Sequence, residues 1–167
     1  MSDESIEARA GIGRIALKFL LRFLAASIPL YLLYAVAGIH YTRLVASLAK
    51  PLFMLSDIEL VVERALTVTE EISLNPVVFL SLVIATPRIG ALRKVRAGLT
   101  GFVILTLANS VTLYMIFLSA ARGSERLWSG TEFLNLTINF FLPLLLWVLL
   151  LPVISIASRL REPPDHG

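Results

Sequence analysis

At 167 residues, 57% of them hydrophobic and only 16% charged, the chain lies outside the range of an ordinary soluble domain and has room for about four membrane spans and one modest loop. The net charge of +3 does not point to nucleic acid, because the basic residues stand at the ends of apolar runs, where the positive-inside bias accounts for them. With no cysteine, disulfides, thiolate metal sites and a cysteine nucleophile are excluded.

The opening MSDESIEARAG is acidic and polar and lacks the basic start and small-residue cleavage site of a signal peptide, so the first span is expected to stay in the mature protein. Ile12, Ile15, Ala16, Phe19 and Leu20 then recur at helical spacing, with Arg14, Lys18 and Arg22 as an opposite stripe. Residues 1–19 therefore read as an amphipathic arm whose cations meet anionic lipid headgroups. The first span is expected over 20–40, kinked near Ala25 by Pro29. His40 and Tyr41 would sit at its far interface.

Tyr41, Leu44, Val45, Leu48, Leu52 and Leu55 repeat at helical spacing with Pro51 as an interruption, which predicts a helix lying on the outer membrane surface. From Asp57 the period changes. Ile58, Leu60 and Val62 alternate with Glu59, Val61 and Glu63, and Leu66, Val68 and Ile72 follow with Thr67, Thr69 and Glu71 between them. This is the pattern of a half-buried two-stranded hairpin turning at Glu63-Arg64-Ala65. Its apolar side would face the helices, Thr67 and Thr69 would point outward, and an open strand edge could accept an extended segment of a partner. Ile58, Leu60, Val62, Thr67 and Thr69 are the candidate docking residues, the alternative being that the hairpin only lids the short second helix. The carboxylates along the stretch read as a solvated face and not as a divalent-cation site.

Asn75-Pro76 reads as a helix start, Asn as the cap and Pro at the first helical position. The apolar run Pro76–Thr86 is only about 16 Å long at helical rise. Two solutions remain open: the second span reaches 92 through a kink at Pro87 with Arg88 snorkelling, or the Asn75 end sits below the outer surface, covered by protein. Arg88, Arg93, Lys94 and Arg96 form the densest basic cluster and mark a cytoplasmic, headgroup-contacting loop. The third span is expected over 97–121, with Asn109, Ser110 and Thr112 in its middle, and Asn75, Asn109, Asn135 and Asn139 are the candidates for interhelical polar contacts. After an outer loop anchored by Trp128, the fourth span runs over 133–158. There Asn135 and Asn139 share a face with Glu132, and Pro143 cannot donate to the Asn139 carbonyl, so this end must face protein or water. Residues 159–167 form a polar tail.

Ten Lys and Arg fall on the side of the two termini and five on the other, which places both termini in the cytoplasm and the strand-like stretch outside. The expected fold is an all-α integral membrane protein of four transmembrane helices, with an outer interfacial helix and a small β-hairpin between helices 1 and 2. No nucleophile with a base, no metal-ligand cluster and no charge within a span is spelled out. A non-enzymatic role without cofactor follows.

The order of parts resembles the small membrane proteins associated with exosortases, in particular exosortase H. The DIELVVERALTVT segment, Asn75-Pro76 and Ala85-Thr86-Pro87 carry the resemblance. It implies a bacterial inner-membrane accessory protein working beside a membrane sorting peptidase or its substrate, and no catalytic residue can be carried over. The other reading left open is a small channel or carrier for an uncharged or lipidic solute, resting on Asn109, Asn135 and Asn139.

Overall fold

The computed structural model describes residues 3–56, 58, 65, 68 and 74–151, with side chains from residue 13 onward. Its elements are helix α1 (Asp3–Met54), α2 (Asn75–Ala85), α3 (Ala91–Arg122), α4 (Glu125–Leu136), a π-helical turn (Thr137–Phe141) and α5 (Leu142–Leu150). Three stretches are long and apolar enough to cross a membrane, Gly13–Met54, Ala91–Arg122 and Glu125–Leu150. The chain is an all-α, multi-pass membrane protein.

Several expected boundaries move, each for a local reason. The first span and the interfacial helix are one continuous helix, because nothing around His40-Tyr41 ends a helix and α1 passes through Pro29 and Pro51 unbroken. Its last turns do not lie on the membrane. Val45, Ala46, Ala49 and Phe53 are buried in an outer cluster with Leu113 and Phe117 of α3, and the Phe53 ring meets Tyr114 and Phe117 edge to face.

The expected hairpin has no support among the described residues. Ala65 and Val68 have helical backbone, and both pack, with Ile58, against the outer cluster. Leu60, Val62, Thr67 and Thr69 lie outside the described residues.

The second span of 75–92 is also corrected, and the fourth, expected over 133–158, is described only as far as Leu151. Helix α2 stops at Ala85 and α5 at Leu150, each followed by a residue with extended backbone, Thr86 (φ −64, ψ 119) and Leu151 (φ −118, ψ 141). Both residues precede a proline, whose ring disfavours the helical region for its neighbour. Residues 152–158 lie outside the described residues. Pro87 and Arg88 form the turn after α2, Arg88 with φ 59. Helix α3 begins at Ala91, so Arg93, Lys94 and Arg96 are helical and not in a loop.

At its other end Gly123 takes a left-handed φ of 55, which a glycine adopts without penalty. The Ser124 side chain then accepts from the Leu127 N–H to start α4. The expected outer loop therefore shrinks to two residues.

Contacts run in the same order along α1 and α3: Tyr41 meets Phe102 and Asn109, and Phe53 meets Tyr114 and Phe117. These two helices are parallel. Helix α2 runs back against α3, with Asn75 beside Asn109 and Ile84 beside Lys94. An inner cluster of Phe79, Val83, Ala97, Leu105, Leu146 and Leu151 joins α2, α3 and α5. Close approach here depends on Gly101, since a Cβ at that position would fall within the Phe79 ring.

Candidate functional site

The second of the two solutions for α2 is the one adopted. Asn109 lies about 27 Å along α3 at helical rise and Ile138 is near the middle of Glu125–Leu150, so the N-terminus of α2 ends deep in the bundle. Asn75 is 1% exposed and Asn109 is fully buried. At such depth every polar group must find a partner inside the protein.

Asn75 is the first residue of α2 and not its cap. Leu74 takes the cap position without a side-chain bond, and its carbonyl accepts from the N–H groups of Val77 and Val78. The Asn75 side chain is thereby released for tertiary contacts. Its Nδ2 donates to Asn109 Oδ1 at 2.9 Å, and Asn109 Nδ2 donates back to Asn75 Oδ1 at 3.0 Å. The second hydrogen of Asn75 goes to the Ile138 carbonyl at 3.3 Å, and that of Asn109 to the Tyr41 hydroxyl at 2.9 Å. Nearby, the Thr106 hydroxyl donates to the Phe102 carbonyl at 2.7 Å, and the Phe102 ring meets that of Tyr41.

The π turn explains why Ile138 is available. In an α-helix the Leu142 N–H would serve the Ile138 carbonyl, but here it donates to Thr137. Residue 143 is proline and has no N–H to offer. The carbonyl is left without a helical donor, and Asn75 supplies one from another helix. The sequence pointed to the Asn139 carbonyl; the one that Asn75 reaches is one residue earlier. Because a carbonyl can only accept, Ile138 fixes which end of the Asn75 amide faces it, and the reciprocal pair then fixes Asn109.

All four amide hydrogens of the pair thus have distinct acceptors on α1, α3, α2 and the π turn. No buried side-chain N or O atom among the described residues lacks a partner. The cluster holds no carboxylate, histidine or cation, so its chemistry is that of a neutral clamp joining four elements. Two further polar ties flank it. Ser110 donates to Val45 O of α1 at 3.1 Å, and Trp147 Nε1 donates to Thr86 Oγ1 at 2.8 Å.

Other residues singled out in the sequence lie elsewhere. Asn139 donates to Asn135 at 2.6 Å within one helical face, and the pair stands apart from the clamp. Thr112 bonds only the Ala108 carbonyl of its own helix. Tyr41, expected at the interface, is inside the bundle. Arg14, Lys18, Arg22, Arg88, Arg93 and Arg96 are exposed, and Lys94 is half-buried. Among the described residues no group of three His, Asp or Glu side chains is placed to hold a metal ion. Thr106 and Ile138 escaped the sequence reading, and Tyr41 entered it only as an interface residue. Tyr41 and Thr106 carry no motif, and Ile138 contributes a backbone atom. No family model, curated protein or solved structure matches the chain.

Proposed function

We propose that the chain is a non-enzymatic accessory subunit of an envelope protein-sorting or export system, working beside an exosortase-type sorting peptidase. What supports this reading is the closure of the Asn75–Asn109 clamp. Its donors are all spent on the protein itself, which suits a rigid scaffold better than a pathway that must exchange hydrogen bonds with a passing solute. The link to a sorting peptidase rests on the resemblance carried by residues 57–69, Asn75-Pro76 and Ala85-Thr86-Pro87.

In this reading the chain sits in the cytoplasmic membrane with both termini in the cytoplasm, on the ten-to-five distribution of basic residues. Since α1 and α3 are parallel, the chain must return across the membrane between them. The half-length α2 lies on that return.

The test is recovery of the tagged full chain from native membranes. A membrane peptidase or its sorted substrate is expected to come with it. A chain that is recovered alone and passes an uncharged solute in liposomes would overturn the reading and favour a channel or carrier.

A further inference from the structure

Away from the clamp, a groove of about 400 Å³ runs between α2 and α3. Leu80, Val83 and Ile84 form one wall, and Val95 and Leu99 form the other. Its floor exists because Gly98 has no side chain there, with a Leu80 methyl 3.4 Å from where a Cβ would stand. The groove extends from Lys94 to Phe102, roughly 12 Å at helical rise. Lys94 is its only charged lining residue.

Two observations say what fits it. First, Lys94 is held at the mouth: its ammonium donates to the Ile84 carbonyl at 2.7 Å. That carbonyl lies in the last turn of α2, where the chain leaves the helix before Pro87 and where the helix dipole favours a cation. One of the three ammonium hydrogens is used, and two remain. Second, α1 passes the same end of α2: the Phe19 ring meets Trp147, whose indole N–H bonds Thr86 just beyond α2, and Arg22 stands one helical turn further along α1, on the side of the bundle where Lys94 bonds Ile84. No Asp or Glu occurs in residues 8–56 or 72–124. Glu125 and Glu132 stand at the far end of the bundle, on α4. Two cations at the mouth of an apolar groove, with no carboxylate from either segment, complement a ligand with an anionic head and a hydrocarbon tail.

We propose that this groove seats one acyl chain of an anionic membrane phospholipid, with its phosphodiester between Lys94 and Arg22. The site is independent of the clamp and of any partner protein. It turns the general attraction of basic residues for headgroups into one defined position.

The test uses the purified full chain in detergent, titrated with phosphatidylglycerol or phosphatidylcholine, with bound lipid counted by native mass spectrometry. Two basic residues near a membrane surface correspond to roughly a thirtyfold preference for the anionic lipid. Arg22→Gln is expected to lower phosphatidylglycerol retention about fivefold. Lys94→Gln should do the same but also removes the bond to Ile84, so Arg22→Gln carries the decision. Leu99→Trp, at an exposed position on the groove wall, is expected to displace the lipid while leaving the fold intact. Arg96→Gln removes the same charge outside the groove and is expected to leave retention unchanged. Equal retention of the two lipids, equal losses in Arg22→Gln and Arg96→Gln, or a Leu99→Trp chain that binds as before would each overturn the proposal.

Discussion

Replacing Asn109 by leucine leaves the Asn75 amide without its reciprocal partner on one side and the Tyr41 hydroxyl without its donor on the other. We expect a loss of about 1–3 kcal/mol, the cost of leaving buried polar groups unpaired. A double-mutant cycle between Asn75→Ala and Asn109→Ala, followed by unfolding in mixed micelles, should return a coupling of about 0.6–1.7 kcal/mol. A coupling of zero would mean that the pair is not formed in the membrane. Gly101 gives a second prediction at this scale. Gly101→Ala drives a methyl into the Phe79 ring and should cost about 1–3 kcal/mol, as overpacking does. Adding Phe79→Leu to the same chain should recover part of that loss, and no recovery would place the strain elsewhere. The value of both residues was only half legible in the sequence. Asn and Gly within apolar runs announce helix contacts, but which partner each meets depends on a neighbour far along the chain.

Among the elements, α2 and the π turn explain one another. A helix of 11 residues cannot cross alone, and its deep N-terminus is tolerable because Asn75 is drawn into a network of protein acceptors. One of those acceptors exists only because Thr137–Phe141 is wound as a π turn ahead of Pro143. Pro143→Ala restores a backbone donor. We expect it to let the turn relax toward the α register, in which the Ile138 carbonyl is served from its own helix. The cost of Asn75→Ala should then be smaller in the Pro143→Ala background than in the natural chain. An unchanged cost would show that the π turn persists without the proline. Proline signals in the sequence located the irregularity. They did not distinguish a kink from a π turn, because both answer the same missing donor.

For the whole molecule, the parallel course of α1 and α3 brings the basic starts of both helices to one face and the short Gly123-Ser124 connection to the other. A cysteine introduced at Ser129, exposed in the first turns of α4, should react with an impermeant reagent from outside. One at Leu92, 66% exposed at the start of α3, should react only once the membrane is opened. The reverse pattern would invert the proposed orientation. An equal reaction at both positions in sealed cells would mean that they do not lie on opposite sides.

Composition and hydropathy determined that this chain lives in a membrane as apolar helices, because in hydrocarbon only helices and closed barrels satisfy the polar backbone, and its long uninterrupted apolar runs are those of helices. Proline placement marked where a helix could stop, before Pro87 and Pro152, but not that it would, since α1 runs through Pro29 and Pro51. Tertiary structure decided which faces meet. The stripe of residues 41–55 was expected to lay a helix on the membrane surface; Leu44, Leu48 and Leu55 are 44%, 42% and 85% exposed, while Val45, Ala46, Ala49 and Phe53 are buried against α3. In hydrocarbon a leucine gains nothing by turning inward, so small residues that allow close packing take the interface. Periodicity reports the faces of a helix in water, and in a membrane only the packing partner says which of them is inside.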